Sequence, residues 1–159
     1  MNKLVELVRL KQESDARSAE DIDRVIRLWQ EEIISLTSTI ERWVEPLKLE
    51  GVIEITRSEV AIREEPTTEI SRTYTARQLT LRLGNKVIDV SPVARFCVGS
   101  TGRIDLEGFK NWEQVYLTRT VTGADTHWQL VKKEYQAIKG PERETFNEDS
   151  FAKLLQSLF

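Results

Sequence analysis

An α+β fold, with helices covering a mostly antiparallel β-sheet, follows from a change of rhythm and a set of turn signals in the 159-residue sequence. Before Pro46 apolar residues return every third or fourth position, and after Gly51 they return every second. These are the spacings of a helix face and of a strand face. Gly84–Asn85 and Thr122–Gly123–Ala124–Asp125 then punctuate the alternating part as hairpin tips.

The helical third divides in two on this reading. Leu4, Leu7 and Val8 share one face of a short amphipathic helix over 3–13, and the polar stretch QESDARS follows it, so residues 1–17 are helix and linker. Ser18, with Asp21 in the first turn, resembles an N-cap. From there Ile22, Val25, Ile26, Trp29, Ile33, Leu36, Ile40, Trp43 and Val44 trace the apolar stripe of a long helix over 18–45. Pro46 is expected to stop it near Val44, because a proline pushes the residue before it out of helical geometry.

The sheet is expected over 51–133. Ile53, Ile55, Val60 and Ile62 mark a first strand, whose change of phase predicts a bulge. Tyr74, Ala76, Leu79, Leu81 and Leu83 mark a second, with another slip near Arg77–Gln78. A two-residue turn at Gly84–Asn85 sets Leu81 opposite Ile88 and Leu79 opposite Val90. A three-residue loop at Ser100–Gly102 would pair Val98 with Ile104, Phe96 with Leu106, Arg95 with Glu107 and Cys97 with Asp105. The last hairpin places Leu117 against Leu130, Arg119 against Trp128 and Thr120 against His127. Finally, Asn147 is a good N-cap for a C-terminal helix over 147–159, with Phe146 and Phe151 as a hydrophobic staple. The whole reads as a single domain over 1–159 with six or seven strands. In element order it resembles a pleckstrin-homology-like barrel, and equally an open curved sheet wrapped on helices.

Composition narrows the function classes. Hydrophobic residues make up 40% and charged residues 31%, with a formal net charge of −3, the profile of a globular chain. A mildly acidic chain lacks the field that gathers nucleic acid, so general nucleic-acid binding is disfavoured, although a local basic patch is compatible with it. Cys97 is the one cysteine; no intrachain disulfide can form, and a reducing, cytoplasmic compartment is expected. No apolar run reaches the ~18 residues of a membrane span, so no membrane partner is expected.

Candidate chemistry is sparse. His127, the one histidine, falls beside a hairpin tip and reads as a surface strand residue. Cys97 as a nucleophile would need a base, whereas the expected register supplies Asp105, whose charge opposes a thiolate. Glu31–Glu32, Glu64–Glu65 and Glu148–Asp149 are explained as a solvated helix pair, a loop pair and a complement to a helix dipole. The GSTGR segment at 99–103 lacks the spacing and final Lys-Ser/Thr of a phosphate-binding loop. No residue set marks a metal site or a cofactor. What remains is a polar recognition patch of Arg95, Arg103, Arg119, His127 and Trp128, with Arg119 stacking on Trp128 as a cation–π pair. A second candidate is a helix-mediated interface of Leu4, Leu7, Val8, Trp29 and Ile33, the last two equally explained as core under the sheet. The expected function is a non-enzymatic intracellular protein-interaction or adaptor module, partnered by another protein or by a second copy of itself. The alternatives are a small-molecule binder or unusual enzyme with a pocket between the curved sheet and a helix, and a weak nucleic-acid binder using the arginine patch.

Overall fold

Apolar residues at helical spacing have to be covered, and here a single helix carries them. In the computed structural model, which describes residues 2–98, 100–136 and 138–159, α1 runs unbroken over Asn2–Leu49, 48 residues or about 72 Å. The expected break at 14–18 does not occur, because QESDARS is polar but contains neither glycine nor proline, and its side chains suit an exposed helix. Nor does Pro46 end α1. The carbonyl that loses its partner belongs to Arg42, an exposed residue, where water can replace the missing donor, while Leu47 still packs against the core. The stop signal is Gly51. Its φ of 73° lets Gly51 N–H donate to Lys48 O and Val52 N–H to Leu47 O, each at 3.0 Å, the paired closure that satisfies the last turn of a helix.

Seven strands follow, β1 (Glu54–Glu64), β2 (Arg72–Leu83), β3 (Lys86–Ala94), β4 (Arg103–Glu107), β5 (Gln114–Thr122), β6 (Asp125–Lys133) and β7 (Glu142–Thr145). They pair antiparallel in chain order. The sheet does not close on itself, since β1 and β7 are its two edges; the open curved alternative is the one adopted. Leu81 faces Ile88 and Leu79 faces Val90 across the Gly84–Asn85 turn. Leu117 faces Leu130, Arg119 faces Trp128 and Thr120 faces His127 across the last hairpin.

Two expectations about register are corrected. The phase change in β1 is not a bulge, for β1 and β2 pair without interruption from Glu54↔Arg82 to Glu64↔Arg72. The slip between Ile55 and Val60 lies opposite the slip between Ala76 and Leu79, so the ribbon turns its apolar face as a unit and the ladder stays in step. The β3–β4 hairpin is wider than a three-residue loop. Val90 pairs with Leu106 and Pro92 with Ile104, with a register shift between Pro92 and Ala94, at a proline that has no N–H for the ladder. The displacement is an even number of positions, so Ile104 and Leu106 still face the core. Val98, however, is fully exposed, Glu107 pairs with Asp89 rather than Arg95, and Asp105 with Ser91 rather than Cys97.

The core lies between α1 and one face of the sheet. Trp29, Ile33, Leu36, Ile40 and Val44 are buried in one cluster with Leu79, Leu81, Ile88, Val90, Ile104, Leu117 and Leu130. Trp29 and Ile33 are 0% exposed; they take the core alternative and are closed to a partner, which corrects their place in the expected interface. A second short helix, α2 (Glu148–Gln156), begins at the Asn147 N-cap, whose side chain and that of Ser150 exchange hydrogen bonds with each other's backbone N–H. Phe146 and Phe151 sit with ring centroids 5.8 Å apart. Trp43 of α1 completes an aromatic trio, 5.3 Å from Phe146 and 5.9 Å from Phe151, so α2 docks on α1 through these rings.

Gly102 permits a close approach of the backbone to the Trp29 ring. A Cβ there would lie 2.7 Å from the Trp29 ring, too close for any side chain. Replacing Trp29 with Ala is expected to lower unfolding free energy by about 3–5 kcal/mol, read from equilibrium denaturant unfolding; a loss below about 1 kcal/mol would mean that the ring is not part of the core.

Candidate functional site

Where the sheet meets the middle of α1, the apolar core gives way to a polar rim. Arg119 of β5 reaches Glu32 of α1 through two hydrogen bonds, Nε to Oε2 at 2.6 Å and Nη2 to Oε1 at 2.9 Å. Its guanidinium also donates to Thr101 Oγ1 and Thr126 Oγ1 at 3.3 and 3.4 Å. Both charged side chains are largely withdrawn from solvent, so this fork-shaped pair is stronger than a surface ion pair. Trp128 is not stacked under Arg119. Its ring lies 5.8 Å from that of Trp29, inclined at 41°.

Glu64 is the rim's other anchor, and it is not the solvated loop residue expected. It ends β1 with 7% exposure, in phase with the inward-facing Val60 and Ile62. Its carboxylate accepts the backbone N–H of Arg95 at 3.0 Å and of Phe96 at 2.8 Å, and the Tyr74 hydroxyl donates to it as well. These bonds explain why β3 leaves the ladder after Ala94: the next two amides have a carboxylate to serve instead of a neighbouring strand. Burial, and then the Glu64 carboxylate, push the Tyr74 phenol well above its ordinary range, with Arg95 opposing. Burial, and then Arg119, lower Arg95 from the usual arginine value, against Glu32 and Glu64.

The expected recognition patch is therefore divided by the sheet. Arg119 and Trp128 face α1, and Arg95 sits half-buried in the 95–102 segment. Arg103 and His127 lie on the opposite, outer face. There the Arg103 guanidinium covers the Tyr116 ring at 3.9 Å and its Nε donates to Asp105 at 2.8 Å. His127 is exposed beside Thr120. Cys97 lies half-buried, its Sγ against the carbonyl oxygens of Ala94 and Ser100, not beside Asp105. Gly99 of the GSTGR segment lies outside the described residues.

The surfaces open to ligands or partners include three of note. The first is the N-terminal part of α1, where Leu4, Val5, Leu7, Val8 and Leu10 are each at least half exposed. The hairpin tip between β1 and β2 reaches α1 at Lys11 through Glu69 and at Asp23 through Arg72, and Asn2–Leu10 extend past that contact. The second is an apolar groove of about 750 Å³ among Leu47, Val52, Leu83, Leu155 and Phe159. The third is a cleft of about 600 Å³ between Cys97, Val98, Ser100 and Thr101 and the outer face of β4–β7. The core cluster fills the middle of the space between α1 and the sheet, and a polar cleft of about 710 Å³ opens between α1 and β1 beside Glu41, Arg42, Lys48 and Arg57. Arg143, which lines the third surface, carried no signal in the sequence because its short strand has no apolar alternation. Among the described residues no group of three metal-ligating side chains comes together, and no helix is long and apolar enough to cross a membrane.

Replacing Glu64 with Ala is expected to cost about 1–3 kcal/mol, the penalty for leaving buried donors unpaired, and to speed hydrogen exchange at the Arg95 and Phe96 amides ahead of the rest of the sheet. Equal protection in the variant would show that the carboxylate does not hold the segment. Tyr74, held neutral when folded, contributes stability that is complete below its ordinary value of 10.0 and is lost as pH rises above it, because only the unfolded chain then ionises freely. Tyr74→Phe should flatten that alkaline limb of the stability profile. Comparison with protein-family models, with curated proteins and with solved structures finds no match, so the functional reading rests on this geometry.

Proposed function

We propose that the protein is a non-catalytic interaction module, acting in a reducing intracellular setting, which self-associates through the N-terminal part of α1. One observation carries this reading: beyond the polar stretch from Lys11 to Ser18, Leu4, Leu7 and Val8 lie on the same side of the helix as the stripe buried from Ile26 to Val44, and among the described residues they stay exposed. An exposed apolar stripe on a helix is ordinarily buried against another helix.

Charge selects the partner and its direction. Lys3, Arg9 and Lys11 outweigh Glu6 in the first stretch of α1, whereas Glu13, Asp15, Glu20, Asp21 and Asp23 outweigh Arg17 in the next. A second copy laid antiparallel brings the basic stretch of each helix against the acidic stretch of the other; a parallel copy sets like against like. The symmetric pair is self-complementary, as a two-fold interface requires.

The expected solution mass is near twice the 18.4 kDa of the chain, measured by light scattering on the chromatographic peak. Leu4→Asp with Leu7→Asp should give a monomer whose helix content and unfolding midpoint match a monomeric reference, since both residues lie outside the core. Lys3→Glu with Arg9→Glu should weaken the antiparallel dimer and leave a parallel one little changed. A wild-type chain that stays monomeric at micromolar concentration would overturn the proposal.

A further inference from the structure

We infer that the cleft on the outer face of β4–β7 is a binding site for a small organic oxyanion, a phosphate monoester or a carboxylate. This inference is independent of the self-association above, which uses the N-terminal part of α1. The cleft is lined by Arg103, Arg119 and Arg143 together with Thr118, Thr120 and Gln129, and no carboxylate is among its lining residues.

Strand register builds this surface. Arg103 pairs with Thr118 and Thr118 with Gln129, while Tyr116 pairs with Val131 and Val131 with Arg143. Two rows of same-face side chains thus cross four strands, with an arginine on β4 in one row and on β7 in the other. Cys97, Val98, Ser100 and Thr101, next to the amides that Glu64 draws out of the ladder, wall one side.

The three arginines differ in what they can offer. Arg119 is committed to Glu32 and contributes the cleft's edge. Arg103 uses Nε on Asp105 and is held over the Tyr116 ring, which leaves its two terminal nitrogens for a ligand. Arg143 makes no ion pair among the described residues; its neighbours Glu142 and Glu144 both lie against Lys132, at 3.8 and 3.2 Å. Thr118, Thr120 and Gln129 likewise have no side-chain hydrogen bonds to protein among the described residues. The surface therefore presents arginines beside neutral hydroxyl and amide groups, its nearest carboxylate, Asp105, being engaged by Arg103, and guanidinium forks match the paired oxygens of phosphate and carboxylate groups. A single anionic group suits it better than a polyanion, since the chain as a whole carries −3.

The test titrates the full chain with phenyl phosphate, with benzoate and with a short single-stranded oligonucleotide, reading backbone amide shifts by NMR at low salt. Saturable shifts confined to Ser100, Thr101, Thr118, Thr120 and Gln129 are expected with phenyl phosphate or benzoate, and the tighter of the two identifies the oxyanion. Arg143→Gln, an exposed edge substitution, should weaken that binding about tenfold, the loss of one charge-assisted contact. Arg82→Gln, away from the cleft, should leave it unchanged. The inference is overturned if neither small anion gives saturable shifts there, if the two variants behave alike, or if only the oligonucleotide binds.

Discussion

The structure depends on mutual burial between one helix and one face of an open sheet. The stripe from Ile26 to Val44 has nowhere else to go, and the inward side chains of β2 to β6 have no second sheet to cover them. Neither partner is a stable surface in water alone, because a helix keeps its shape chiefly through the apolar face it packs, and an uncovered apolar sheet face is an aggregation surface. Trp29 is where the two meet most tightly, with Trp128 beside its ring and the Gly102 backbone close enough to exclude any side chain at that position.

That burial also decides where polar groups collect. Charged residues next to the stripe end at the rim, where Glu32 meets Arg119 and Glu64 meets two backbone amides and Tyr74. The Glu64 contacts take Arg95 and Phe96 out of the sheet, and the segment they release forms a wall on the far side of β4 and β5. A carboxylate facing the core thus shapes a cleft on the opposite face. The two faces of the sheet are chemically distinct as a result, one apolar with a paired ionic rim, the other polar with arginines held by an aromatic ring and an edge strand.

Local chemistry made much of this legible before any coordinates. The Gly84–Asn85 turn and the Thr122–Asp125 tip each fixed a register because a tight turn leaves a strand pair one way to align, and Asn147 with Phe146 and Phe151 marked the start of α2 for equally local reasons. The misreadings were tertiary. Pro46 looked like a terminator, yet it sits on an exposed side of the last turns, and Gly51 closes the helix. The β3–β4 register depends on Glu64, more than thirty positions before the amides it binds, and no local pattern announces such a capture, although its phase with Val60 and Ile62 was a sign of burial. Arg119 and Glu32 are 87 positions apart, so their pairing had no trace in spacing. β7, whose four residues are all exposed, pairs by its backbone and by the ion pairs of Lys132 with Glu142 and Glu144.

Native-state hydrogen exchange is the most direct measurement of the central claim that α1 and the sheet are one cooperative unit. Amides of Ile26–Val44 should exchange with the same free energy as those of β2–β5, both through global unfolding, with the N-terminal stretch of α1 responding separately to protein concentration. If the Ile26–Val44 amides opened at a markedly lower free energy while the sheet stayed protected, the helix would be an appendage, and the account of the core would be contradicted.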